Sequence, residues 1–326
     1  MNQSPRLVGL LLLGLVVGLA LSEGMVRLVD PQWRIPYPPT CYAPGLYEPF
    51  DPHGYRLHPN QVMRDTAPWL HGGGITVHSN ADGFRGPDLR RRDARRRVVV
   101  LGDSMIFGMG VEEAERCTER LEAAEPTWRV DNLGMVGYGP DLMLRTLEHV
   151  GIGLDPDVVV MAIFSHDFYR VMPEAFGVGF AVPRFRLIAS QLATVPYPER
   201  PLWSRLALVE GVRYAYWRYT AASFPLNAAI LDRYRQLATE HGFVPAVAFL
   251  PSRNERWDDR RRARWLRDYA GAHGLPFLDL TAPLRAAGAD QVYLPDDSHW
   301  NATGHQVVAE ALRPFLATLV PPASSP

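Results

Sequence analysis

Three residues of this chain have the types and neighbours that acyl transfer requires. Ser104 stands in Gly102-Asp103-Ser104, directly after the apolar run Val98-Val99-Val100-Leu101. A serine hydroxyl is a weak nucleophile until a base takes its proton, and that base needs an acid to orient it. The segment Asp296-Asp297-Ser298-His299 supplies both. His299 is the expected base, and Asp296, three residues earlier, is the carboxylate that a tight turn would set beside the imidazole. Asp297, one residue off that spacing, is expected to tolerate alanine. Short polar residues at element boundaries also serve as ordinary helix caps, so each signal is weak alone and the pair carries the argument. Attack by a serine further requires donors for the developing oxyanion. Asn132-Leu133-Gly134-Met135-Val136-Gly137-Tyr138-Gly139 offers glycines that let a backbone N–H approach a ligand closely, and Phe164-Ser165-His166-Asp167 closes the next apolar run.

Such residues act together only if a scaffold brings their boundaries to one edge. The pattern predicts strands at Val98–Leu101, Trp128–Asn132, Asp157–Phe164, Val244–Leu250 and Pro276–Leu280. Helices are expected at Val111–Ala124, Asp141–Val150, Leu226–His241, Arg260–His273 and Gly304–Leu319. Strands alternating with helices imply an α/β parallel sheet covered on both faces, whose carboxyl edge forms the ligand crevice. Residues 30–97 read as an extended region packed on the core by short strands, 98–320 as the main domain and 321–326 as a tail. Within the domain, residues 168–224 form a long insertion rich in proline and aromatics, either a small core of its own or a cover for the substrate.

Arg6 precedes the uncharged apolar run Leu7–Leu21, and apolar residues resume beyond Glu23, so residues 1–29 read as a membrane anchor. A cleaved signal with Ala20-Leu21-Ser22 at the cut is the alternative. With a short positive N-terminus left in the cytoplasm, the rest of a bacterial chain would face the periplasm. Across 326 residues, 34 basic and 35 acidic side chains give a net charge of -1, which provides no global field for nucleic acid. The 47% hydrophobic content suits a large core. Cys41 and Cys117 lack C-x-x-C spacing, and His53, His58, His71 and His78 lack that of a zinc site, so neither metal nor cofactor is expected. His71-Gly72-Gly73-Gly74 mimics a lipase oxyanion motif, but Ser104 lacks the Gly-x-Ser-x-Gly elbow that accompanies it, and a flexible turn is the better reading.

Taken together, the Gly-Asp-Ser turn, the glycine after the second strand, the residues closing the third strand and the Asp-x-x-His element resemble the four blocks of the SGNH (GDSL-type) hydrolases. Ser79–Gly86, Phe107–Val111 and the anchor ending Glu23–Arg27 resemble a membrane-tethered bacterial subgroup. The resemblance implies a three-layer, flavodoxin-like fold with no cofactor and a triad of Ser104, Asp296 and His299. It also implies an oxyanion hole from the N–H groups of Ser104 and Gly137, with His166 where the family has an asparagine. A neutral imidazole donates one N–H and an imidazolium two, so a pH dependence near neutrality is expected of His166. The implied reaction is hydrolysis of an O-acyl ester, an acetyl group on an envelope carbohydrate or related small ester, at the inner membrane. An O-acyltransferase using the same triad, or a carbohydrate-binding scaffold with an impaired site, are the other readings.

Overall fold

Successive side chains of a strand point to opposite faces, so a strand covered on both sides reads as a near-continuous apolar run. The run at Val98–Leu101 is such a strand in the computed structural model, which describes residues 4–29, 45–51, 53–65, 74–89, 95–172, 184–196, 203, 206–295 and 297–321. Cys41, His71-Gly72-Gly73 and Asp296 lie outside the described residues.

The chain opens with helix α1 (Ser4–Val29), followed by two antiparallel hairpins, β1 (Tyr47–Phe50) with β2 (Gly54–Leu57) and β3 (Val62–Asp65) with β4 (Ile75–His78). Then come β5 (Arg96–Gly102), α2 (Ser104–Phe107), α3 (Cys117–Ala124), β6 (Trp128–Gly134), α4 (Pro140–Thr146), β7 (Val158–Phe164) and α5 (Asp167–Arg170). A hairpin of β8 (Arg184–Ile188) and β9 (Gln191–Val195) precedes α6 (Ala207–Tyr219) and α7 (Phe224–His241). The remainder is β10 (Val244–Leu250), α8 (Trp257–Ala272), β11 (Phe277–Asp279), α9 (Thr281–Ala287), α10 (Ala289–Val292) and α11 (Ala302–Ala317).

Five parallel strands form the central sheet in the order β11-β10-β7-β5-β6. Numbered along the chain this is 2-1-3-4-5, the flavodoxin-like order, which places its crevice beside the first strand. One face of the sheet packs Val98, Val100, Val158 and Val160 against Leu121 of α3 and Val308, Leu312 and Leu316 of α11. The other packs Val99, Leu101, Val159 and Met161 against Leu142 of α4, Ile230 and Tyr234 of α7 and Leu266 of α8.

One segment differs from expectation. The helix expected over Val111–Ala124 is a short 3-10 turn at Glu113–Glu115 and then α3, because Arg116 between them is extended, its side chain buried and bonded to the Arg85 carbonyl. The insertion, whose stretch 173–183 lies outside the described residues, contains the β8–β9 hairpin and α6. Cys117 is a free, buried thiol whose pKa burial pushes up to about 12.

Upstream of the sheet, the segment after β4 grips the chain just beyond α2. The buried Arg85 guanidinium donates to the carbonyls of Gly108 (2.6 Å) and Val111 (2.8 Å), so the chain beyond α2 is fixed from outside.

Candidate active site

Ser104 begins α2 immediately beyond β5, where the strand's carboxyl end meets the crevice. Asp103 caps that turn by accepting the Met105 N–H (2.9 Å), and its other oxygen accepts from Arg170 Nη1 (2.8 Å). Gly134 ends β6 against the same turn: a Cβ there would lie 2.5 Å from the Phe107 nitrogen. Asn132 completes the clamp, donating to the Ile106 carbonyl (2.7 Å) and accepting the Gly134 N–H (2.9 Å). The backbone of the Ser104 turn is therefore held by β5, from which it continues, and by β6 beside it.

The loop that carries His299 closes through an antiparallel bridge, Tyr293 to Trp300, with the Leu294 N–H bonded to the His299 carbonyl (2.8 Å). Arg253 braces it by donating to the Leu294 carbonyl (2.8 Å). His299 Nε2 accepts from Ser104 Oγ at 2.8 Å, across 195 positions of sequence. Its Nδ1 donates to Asp297, 2.9 Å from Oδ1 and 3.0 Å from Oδ2.

Among the described residues the carboxylate on the imidazole is Asp297, the residue expected to tolerate alanine; Asp296, the expected acid, lies outside the described residues. The Asp297 carboxylate folds back over its own loop to accept the N–H of His299 (3.3 Å) as well as Nδ1–H. Two residues of separation in a bent loop suffice for that, and the three-residue turn is not needed. Burial opposes ionisation of Asp297, but hydrogen bonding and charge from His299, with the N–H groups of Ser298 and His299, hold its pKa below the ordinary carboxylate value.

On the opposite side lies the loop after β6. Gly137 has φ of +80°, a left-handed conformation that favours glycine, and no described residue accepts its N–H. Gly134 is instead a packing glycine. The loop is tied to the Ser104 turn by the Met135 N–H on the Gly102 carbonyl (3.0 Å), and by Arg170, which donates to the Tyr138 carbonyl (3.3 Å).

His166 follows β7, its ring tilted against Phe164 and Tyr169 with centroids 4.8 and 5.7 Å away. Its Nε2 is buried with no partner among the described residues. Burial, reinforced by the positive charges of Arg218, Arg170 and Arg262, drives its pKa well below 6.5, so the ring is neutral near pH 7. The titration expected of His166 around neutrality is thereby shifted to lower pH. Next to it, Asp167 is buried, accepts the Phe164 N–H (2.9 Å) and pairs with Arg170. Burial, with the nearby Asp103 charge, raises the Asp167 pKa well above the ordinary carboxylate value.

Arg170 and Arg253 have no signal in the sequence beyond their charge. Their roles depend on which carbonyls and carboxylates the fold brings to them. Among the described residues no group of His, Cys, Asp and Glu is arranged to hold a metal.

A model of the GDSL-like lipase/acylhydrolase family matches residues 100–307. The diglucosylglycerate octanoyltransferase of Mycobacterium tuberculosis is 25% identical over 254 residues, covering 70% of this chain and 94% of that protein. Among solved structures, a lipase/acylhydrolase from Enterococcus faecalis aligns with a TM-score of 0.46 at 17% identity, over 71% of this chain and 100% of the other. An acetylxylan esterase from Geobacillus stearothermophilus aligns with a TM-score of 0.44 at 15% identity, over 68% of this chain and 94% of the other.

Proposed function

The chain belongs to the GDSL-like lipase/acylhydrolase family, and from that premise we propose that Ser104, His299 and Asp297 form the triad of an esterase acting on an O-acylated carbohydrate of the cell envelope. The observation that carries this reading is the relay of hydrogen bonds from Ser104 Oγ through His299 to Asp297. His299 Nε2 takes the serine proton as Oγ attacks the ester carbonyl, and Asp297 steadies the imidazolium so formed. The C–O bond of the leaving alcohol then breaks as His299 returns the proton to it. Water, deprotonated by the same nitrogen, releases the acyl group from Ser104.

During attack the carbonyl oxygen becomes an oxyanion. The N–H groups of Ser104 and Gly137 and the imidazole N–H of His166 are the proposed donors. Two facts support this: the Gly137 N–H lacks an acceptor among the described residues, and the His166 Nε2 is buried and unpartnered. A neutral imidazole still has one N–H to give, so the departure from asparagine preserves a donor.

A second reading has its own support. The Mycobacterium relative is named for transfer of an octanoyl group to a glycosylated glycerate, and its similarity extends along nearly its whole length. In that reading the acyl-serine is formed in the same way, and a sugar hydroxyl replaces water as the acceptor.

For location, Arg6–Leu28 is a helix long and apolar enough to cross a membrane, as a signal sequence near the N-terminus also is. We read it as an anchor that holds the catalytic domain on the periplasmic side. The apolar pattern beyond Glu23 supports a continuous span.

Turnover of chromogenic acetyl and octanoyl esters by the full chain, with and without a glycosylated acceptor, tests the reaction. Acetyl ester cleavage without acceptor, lost in Ser104→Ala, supports the esterase. Turnover of the octanoyl ester only with acceptor overturns it in favour of the transferase.

A further inference from the structure

Outside α1, most of the large apolar side chains exposed among the described residues gather in one place. Trp203, Leu206, Val212 and Tyr216 lie along α6 and the residues leading into it, and Trp257 stacks on Tyr219 at the far end of the same helix. Val212 and Tyr216, four residues apart, share a face. The charged side chains of α6 are engaged elsewhere: Glu210 is buried, Arg218 pairs with Asp258, and the Arg213 guanidinium lies over the Trp217 ring. This apolar face is joined to α1. Glu23, near the end of the apolar span, accepts the N–H groups of Ala207 (2.8 Å) and Leu208 (2.9 Å), fixing the start of α6 beside the span's distal turn.

We propose that α6 lies in the headgroup region of the bilayer that α1 crosses, as a second membrane contact of the domain. The proposal rests on the reading of α1 as an anchor. A helix that begins at the end of a span and presents tryptophan, tyrosine and aliphatic side chains outward has the composition of an interfacial segment. The contact also orients the site. Tyr214 of α6 bonds the Tyr169 hydroxyl (3.3 Å), and the Tyr169 ring packs on His166, so the His166 wall of the site is tied to the membrane-facing helix.

The test uses the full chain in liposomes, with a nitroxide on Leu15→Cys, Val62→Cys, Leu206→Cys or Val212→Cys in a Cys41→Ser background. Val62 is an exposed reference on the β3–β4 hairpin. The expected result is preferential collision with oxygen over a water-soluble nickel chelate at 15, 206 and 212, and the reverse at 62. Lipid contact at 15 with 206 and 212 as aqueous as 62 overturns the proposal while leaving the anchor standing. An aqueous signal at 15 overturns both.

A separate observation carries a second inference, about the residue that aims the Gly137 N–H. Val136 and Gly137 share a peptide group, in which the carbonyl and the N–H point in opposite directions. Tyr55 of β2 donates its hydroxyl to the Val136 carbonyl at 2.5 Å, and Tyr138 donates back to the Tyr55 carbonyl at 2.5 Å. Both tyrosines are buried. We infer that Tyr55 is a positioning residue for the oxyanion hole, acting through this one peptide. It fixes the direction of the Gly137 N–H and, by accepting charge at the carbonyl, strengthens that N–H as a donor.

This rests on Gly137 being an oxyanion donor. Tyr55→Phe is expected to lower kcat about tenfold with KM unchanged, measured well below its own Tm, because an oxyanion donor acts on the transition state. Unchanged kcat, or a loss confined to KM, overturns the assignment. Ser104→Ala, run alongside, separates the two levels: if it too keeps wild-type turnover, the serine mechanism itself has failed.

Discussion

At Asp297 the backbone of a loop, and not spacing alone, brings a carboxylate to an imidazole. A reading of Asp-x-x-His chooses Asp296, whereas the loop between Tyr293 and Trp300 bends so that the carboxylate two residues before His299 meets its Nδ1. Ser104 and His299 were legible because each follows an element boundary. The acid depends on loop backbone, which residue types do not encode. Asp297→Ala is expected to lower kcat by ~10² or more, since the orienting acid supports the imidazolium in the transition state, and Asp296→Ala by much less. Steady-state kinetics of the two variants decide the register. His166→Ala should also lower kcat by ~10² with little change in KM, and His166→Asn should restore it by supplying an amide N–H. Because burial and three arginines keep His166 neutral near pH 7, the wild type and the asparagine variant should have the same pH profile around neutrality. A profile that differs near neutrality would show His166 titrating there.

At the level of elements, strands were more legible than helices. Val244–Leu250 is found with the expected limits, and β5, β6, β7 and β11 differ from theirs by one or two residues at either end. The interior strands β5, β7 and β10 declare themselves by near-unbroken apolar runs. The α6 helix did not, because its tyrosines, tryptophan and arginines face partly inward and partly outward without a clean polar side. The break before α3 was hidden for a different reason: only the fold shows that Arg116 is buried. The clamp on the nucleophile turn offers a check on packing. A Cβ at Gly134 would press on the backbone of Ile106 and Phe107, atoms that cannot rotate away. Gly134→Ala is therefore expected to destabilise the fold by about 1–3 kcal/mol and to lower activity through displacement of Ser104. Denaturant unfolding with kinetics on the same protein checks it. Wild-type stability would mean that α2 shifts freely against β6.

The whole molecule is a doubly covered sheet in which two further histidines, His53 and His305, are buried. Burial lowers the pKa of His53 to about 4 and of His305 to about 3, from 6.5. A base whose folded pKa is depressed binds its proton in the unfolded chain first. Stability is then fully present above pH 6.5 and falls as pH drops toward the folded values. Between pH 7.5 and 5.5 each of these two histidines should cost about 1 kcal/mol, seen as a lower urea midpoint at pH 5.5. Asp297 acts in the same direction at lower pH, because its depressed pKa contributes stability that is lost as pH falls through that value. A midpoint unchanged between pH 7.5 and 5.5 would show that both histidines are charged in the fold.

The central claim is that one serine, Ser104, is activated by His299 and becomes acylated. Labelling of the full chain with a serine-directed fluorophosphonate, followed by mass mapping of the modified peptide, tests it most directly. The adduct should lie on Ser104 alone, absent from Ser104→Ala and formed far more slowly in His299→Ala. An adduct on another serine, or labelling of His299→Ala at the wild-type rate, would contradict the account.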